Sequence, residues 1–392
     1  VQLRPLLVGS KFMELKTAYV ANCDLPNRFA HSIQIMKNAQ AWHRNSREFL
    51  FVSNLHLRSW LNIEKTNLSQ FYGLSEAFES KFFPYRDLIG LPTAFLSEIY
   101  FRKVTRLLEE SNVDLVFTRT FELPKYTVPK GIPTLVETHG PPDNSKQKND
   151  LYRLLEQDAL LGLVTISEPL KDRYITHGLP AEKIFVAADG VDMEMFSEDL
   201  GQQEARSTLG LKQQEPYAVY VGHLYDDRGI QEILAVAAAY LSCNFLLVGG
   251  HPEHVKKWQA IVNDRGLGNI TLTGFVNNSE VSKYLWAADI LMMPYSQHCP
   301  TADWMSPLKL FEYMAAGRAI LATNLDTIQT ILTDGVNALL VEPDSADSLT
   351  RGFEKLFNDP ALRESLAANA KAEVKGFSWD QRVKNILEYA NM

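Results

Sequence analysis

Cysteine is scarce in this sequence: Cys23, Cys243 and Cys299 stand far apart and form no CxxC pair. They supply neither a disulfide framework nor a four-ligand zinc site, and free thiols suit a reducing compartment. Long apolar runs are lacking too; none approaches the roughly 18 to 20 residues of a bilayer-spanning helix. The opening VQLRPLLVGSKF has no charged start with a long apolar centre, so no secretory leader is expected. Met13 reads as the natural start, with residues 1–12 an extension. The expected location is therefore cytoplasmic. Positive charge is short as well, and a formal net charge of −8 argues against nucleic acid as a partner. No GxGxxG, Walker loop or GxSxG is present, which weakens dinucleotide, ATP and serine-nucleophile readings.

What is present is a repeating rhythm. At 392 residues the chain exceeds one ordinary core. Short runs rich in Val, Ile and Leu alternate with helical patterns. In the first half the strand candidates are residues 16–22, 48–54, 113–119, 133–139, 161–167 and 183–189. In the second they are 217–223, 243–250, 270–275, 290–296, 319–324 and 337–343. Continuous apolar runs between helices mark parallel strands covered on both faces. The expected fold is thus α/β, with two Rossmann-like domains. The first runs over residues 1–196 and the second over 216–377, with the polar stretch 197–215 as linker. Ligands of such sheets sit beyond the carboxyl ends of the strands, so a deep cleft between the two domains is the expected site.

The stretch SPLKLFEYMAAGRAILAT, residues 306–323, reads as a helix and then a strand. Ser306 suits the N-cap, Pro307 the first helical position and Gly317 the C-terminal stop. Leu308, Leu310, Phe311, Met314 and Ala315 form one apolar arc, leaving Lys309 and Glu312 in a narrow polar wedge. An exposed i,i+3 ion pair would explain the wedge equally well. The position after a strand favours more: the helix start offers free amides and a positive dipole end to an anion. Glu312 can then accept two ribose hydroxyls, and a diphosphate on a ribose is a nucleotide.

Other strand ends add to this. Gly222 lets the backbone approach a ligand, and Arg228 presents a fixed fork to phosphate. Gly249-Gly250 closes another strand, a weak signal alone. The backbone of Gly274, Phe275 and Val276 is placed to read a base edge, although a phenylalanine more often packs than stacks. In the first half His139 ends a strand before a rigid Gly-Pro-Pro turn, and Asn27, Arg28 and His31 occupy the first strand-to-helix loop. No ligand spacing accompanies His139, so no metal is expected there.

The ordered series THGPP, TISEPL, GVDMEMF, VYVGHLYDDRG, FLLVGG, TGFVNNSEV, AADILMMPYS, SPLKLFEYMAAGRAILAT, DGVNALLVEP and FSWDQRV resembles retaining glycosyltransferases of family 4, which have the GT-B fold. The resemblance spans roughly residues 16–390. It implies a hexosyltransferase using a UDP- or GDP-sugar, which is a substrate; no cofactor and no metal are expected. It makes the first domain the acceptor side and the second the nucleotide-sugar side. Arg228 and the amides from Met305 to Leu308 would take the phosphates, Glu312 the ribose and His139 the donor sugar. The final helix, residues 378–392, would cross back to the first domain. The sequence departs from the family at Trp304, where a second glutamate is usual, at His223, where a basic residue is usual, and at Arg28-Phe29-Ala30, where glycines are usual. The acceptor, a glycan, lipid-linked or small molecule, is not readable, nor is the oligomeric state. Peripheral membrane contact stays open through residues 56–110, with helix candidate SEIYFRKVTRLLEE (97–110). A nucleotide-sugar epimerase or hydrolase and a binding pseudoenzyme stay open as alternatives.

Overall fold

The computed structural model describes residues 14–27, 29–84, 93–143, 145–198 and 200–391, without the side chains of 93–95 and 147. Arg28 and the expected extension with Met13 lie outside the described residues. The chain divides into two compact units. One comprises the residues up to Asp189 together with those from Trp379 onward; the other runs from Gly190 to Ser378.

The first unit carries strands β1 (Lys16–Val20), β2 (Glu48–Leu55), β3 (Ser80–Pro84), β4 (Leu115–Thr118), β5 (Thr134–Thr138), β6 (Leu160–Thr165) and β7 (Ile184–Val186). They lie in the order β3-β2-β1-β4-β5-β6-β7, all parallel. The second carries β8 (Tyr217–Val221), β9 (Asn244–Val248), β10 (Ile270–Gly274), β11 (Ile290–Met293), β12 (Ala319–Thr323) and β13 (Leu339–Val341). Their order is β10-β9-β8-β11-β12-β13, again all parallel. Strand order reverses beside β1 and beside β8, the places where such sheets open a crevice for ligands. Every expected strand is present. One more, β3, was not read from the sequence: it is an edge strand whose residues are only partly buried, so SKFFP lacks the apolar run of a central strand.

One expectation changes. The polar stretch taken as a linker contains a helix, Gly201–Thr208. Its Arg206 is buried and donates from Nη2 to Asp289 Oδ2 at 2.7 Å and from Nε to the Ala287 carbonyl at 3.0 Å. Long-range pairing of a buried guanidinium is invisible to local composition. The helix Thr93–Glu110, considered for membrane contact, turns Tyr100, Phe101, Val104 and Leu108 into the first core against Ala18, Val20, Leu50, Val52 and Val116. Its apolar face is therefore occupied. Among the described residues no helix is long and apolar enough to cross a membrane. The helix Trp379–Ala390 belongs to the first unit and packs on the helix Ala30–Arg44 through a buried face that includes Val383, Ile386 and Leu387.

Candidate functional site

In the second unit the ends of β8, β9 and β10 meet through glycines. Gly222 donates its N–H to the Val248 carbonyl at 2.8 Å, and Gly249 donates to the Gly274 carbonyl at 2.9 Å. Gly222 has φ +142 and Gly249 φ +107, and a Cβ on Gly249 would lie 2.6 Å from the Gly222 carbonyl oxygen. Only glycine allows this backbone approach. Gly250 and Gly274, with Pro252, Val255, Ala260 and Phe275, line an apolar pocket of about 600 Å³. Phe275 is 49% exposed. Val276, beside it, is half-buried.

The helix Leu308–Ala316 starts at the other side of β8. Pro307, with ψ 121, occupies the N-cap position, and no side chain caps the turn. The expected capping by Ser306 is thus corrected by one residue. The Pro307 carbonyl already accepts the Leu310 N–H at 3.0 Å, which starts the helix after the proline. Met305 also differs from expectation, because its amide donates to the Thr301 carbonyl at 2.8 Å. Pro307 has no N–H and so supplies none of the expected amides. Gly317 ends the helix at φ 63, as expected. Tyr313 secures it from below, accepting the Val221 N–H at 2.8 Å and donating to the Met292 carbonyl at 3.3 Å. Trp304 and Glu312 are half-buried.

Arg228 sits in the turn Asp226–Arg228 ahead of the helix Ile230–Ala239. Its guanidinium stacks 4.6 Å from the Tyr295 ring centroid and donates to Cys299 Sγ at 2.6 Å. Burial opposes its charge, but Tyr295, Cys299 and Asp227 together raise its pKa. Cys299 was not singled out in the sequence; a lone cysteine gives no local sign that it braces an arginine. Lys309 and Glu312 form no ion pair. The Lys309 amine is instead buried under Gly222. His223 stacks between Tyr225 and His251, with centroids 5.0 and 4.9 Å away. Burial above all, then the neighbouring His251 and Arg228, push His223 from 6.5 down to about 4. A neutral imidazole in the fold contributes stability that is present above the unfolded value and lost as pH falls toward the folded one. His223→Gln should therefore flatten part of the acid loss of stability between pH 6.5 and about 4, read by melting temperature against pH. An unchanged profile would refute this.

The first unit assembles a separate charged cluster. Glu137 of β5 is wholly buried; Oε1 accepts from Arg382 Nη2 and lies 3.3 Å from His139 Nε2, while Oε2 is 3.7 Å from Arg119 Nε. Burial alone would raise its pKa, but Arg382, His139 and Arg119 hold it below the usual carboxylate range. Asp189, beyond β7, accepts from Gln34 Nε2 at 3.2 Å, and burial raises its pKa. Glu137, His139 and Asp189 offer ligand atoms within 4.8 Å of one another. Their chemistry suits a proton and charge network better than a cation, because two guanidinium groups already face it. His31 stacks on Phe29 and has its pKa lowered by burial, Arg119 and His139. Asn27 serves its own turn: Oδ1 accepts from the Phe29 N–H at 2.9 Å and from Ser32 Oγ at 2.6 Å.

Residues 201–373 match the family model of glycosyl transferases group 1. An uncharacterized glycosyltransferase of Methanocaldococcus jannaschii is 25% identical over 57% of this chain and 58% of its own length. The alpha-D-kanosaminyltransferase of Streptomyces kanamyceticus is 24% identical over 49% of this chain and 50% of its own. The matches thus span about half the length of these curated relatives. The D-inositol 3-phosphate glycosyltransferase of Paenarthrobacter aurescens is 23% identical over 83% of this chain and 75% of its own. Among solved structures, HepE of Anabaena in complex with UDP and glucose has a TM-score of 0.69 at 16% identity, covering 96% of this chain and 100% of that one. A glycosyltransferase from Rickettsia africae reaches 0.73 at 16% identity, covering 96% and 98%. The structural likeness shows the GT-B fold, and the family model with the curated relatives supports a glycosyltransferase family.

Proposed function

We propose that the chain is a retaining hexosyltransferase moving a sugar from a UDP- or GDP-sugar to an acceptor hydroxyl. The observation that carries this is the uncapped start of the helix Leu308–Ala316, with Arg228, Lys309 and Glu312 gathered near it at the strand ends. A helix start and a guanidinium bind phosphate; a carboxylate one turn on binds a ribose. The pocket beside Gly274 and Phe275 suits the flat apolar faces of a base. That HepE binds UDP, and that the curated relatives are glycosyltransferases, supports the same reading.

In the proposed reaction the bond between the anomeric carbon and the leaving phosphate oxygen breaks. The acceptor oxygen bonds to that carbon on the same face, and its proton passes to the leaving phosphate oxygen. No enzymic nucleophile is consumed. Arg228 and the helix amides stabilise the charge that collects on the departing diphosphate. His139 retains the role implied by resemblance, contact with the donor sugar. Because side chains and amides provide the countercharge, transfer is expected to proceed unchanged in EDTA.

The test is a panel of UDP-, GDP- and ADP-sugars with acceptor extracts, followed by mass and anomeric analysis of products. Transfer with retention is expected. Release of free epimerised sugar without acceptor, binding without turnover, or no binding at all would each overturn the proposal.

A further inference from the structure

Lys309 does not take the solvent-facing place that an exposed ion pair with Glu312 would give it. Instead of pointing to solvent, its Nζ is buried and has no hydrogen-bond partner. It lies 3.9 Å from the Tyr220 ring centroid and 5.1 Å from that of Tyr295. It is also so close beneath the strand-end turn that a Cβ on Gly222 would be 2.5 Å away. Resting on the diphosphate reading of this site, we infer that Lys309 is an uncharged amine in the empty protein and takes a proton from solvent when the diphosphate binds.

An ammonium has three donors to satisfy, and here it finds none of the acceptors it needs. Desolvating it costs more than the faces of the nearby aromatic rings return. The groups facing it are Tyr220 and His223 from β8 and its turn, Arg228 from the next turn, Tyr295 and Cys299 from the segment after β11, and Glu312 from its own helix. Burial, then Arg228, push the amine well below the usual ammonium range, against smaller opposing effects of Glu312 and Cys299. An ionised diphosphate at the helix start reverses that balance by supplying acceptors and negative charge together. The amine lone pair takes one proton from water or buffer, and no other bond changes. Donor capture then carries a pH signature: affinity falls about tenfold per pH unit between the free and bound pKa values.

The experiment is calorimetric titration of the full chain with UDP and with GDP in buffers of differing ionisation enthalpy. It is run near about pH 8.5, above the ordinary range of histidine. Uptake of a proton by the wild type is expected, with weaker binding and no uptake in Lys309→Met. Lys309→Arg, permanently charged, should bind with no uptake and with affinity flat against pH. Heats independent of buffer in the wild type, or uptake that persists in Lys309→Met, would overturn the inference while leaving the diphosphate site standing. Failure of the wild type to bind either nucleotide would overturn the site reading and this inference with it.

Discussion

Glu312→Ala and Arg228→Ala each weaken binding of the nucleotide-sugar donor by about 10- to 100-fold, the worth of a hydrogen bond to a charged group. The two losses have different controls. Glu312 is half-buried, so a melting-temperature measurement on Glu312→Ala and on Glu312→Gln separates lost donor contact from lost stability. Arg228 is also packed on Tyr295 and bonded to Cys299, so truncation costs some stability as well. Arg228→Lys separates these effects, because it keeps the charge but loses the planar fork. Donor affinity should remain below wild type in Arg228→Lys while folding recovers. Wild-type affinity in both alanine variants would show that the arginine is a packing residue and the glutamate an ordinary surface charge.

The second large effect concerns Arg382. Arg382→Met leaves Glu137 wholly buried with Arg119 3.7 Å away as its remaining arginine. Breaking one side of a buried pair costs about 3 to 5 kcal/mol. Arg382 Nε also donates to the Ala188 carbonyl at 2.9 Å, so the final helix is fastened to the loop beyond β7 by the same side chain. The double variant Glu137→Gln with Arg382→Met should recover much of the loss, since the carboxylate most dependent on Arg382 is then gone and only Asp189 is left beside the site. The pH dependence has a definite sign. The folded pKa of Glu137 is depressed below 4.5, so its contribution is present above the unfolded value and is lost as pH falls. Denaturant titrations of the wild type should therefore show an acid slope that the double variant lacks. A single variant as stable as wild type would contradict this account.

These two sites differ in how far the sequence exposes them. Strand ends were legible because parallel strands covered by helices must be apolar along their length, as in YAVYV and NFLLV. The helix Leu308–Ala316 was legible because Pro307 and Gly317 bracket an apolar arc, and the error of one residue at its start reflects where Pro307 itself turns extended. For Lys309 the sequence left an exposed ion pair and a place in the donor site both open, because helical spacing fixes only the angle at which a side chain leaves its helix. Whether it then reaches water or folds beneath a glycine depends on β8, nearly ninety positions away in the chain. Arg382 was missed for the same reason: an arginine on an amphipathic helix looks solvated, and its partner Glu137 lies 245 residues earlier. β3 escaped because an edge strand need not be continuously apolar. Local pattern therefore reveals elements and their capping. Pairings made by long side chains across distant elements must be seen in three dimensions.

The most direct measurement is a crystal of the full chain grown with UDP. The diphosphate is expected against the first turn of the helix Leu308–Ala316 and the Arg228 guanidinium, with the ribose hydroxyls on Glu312. A diphosphate bound anywhere else on the chain would contradict the account.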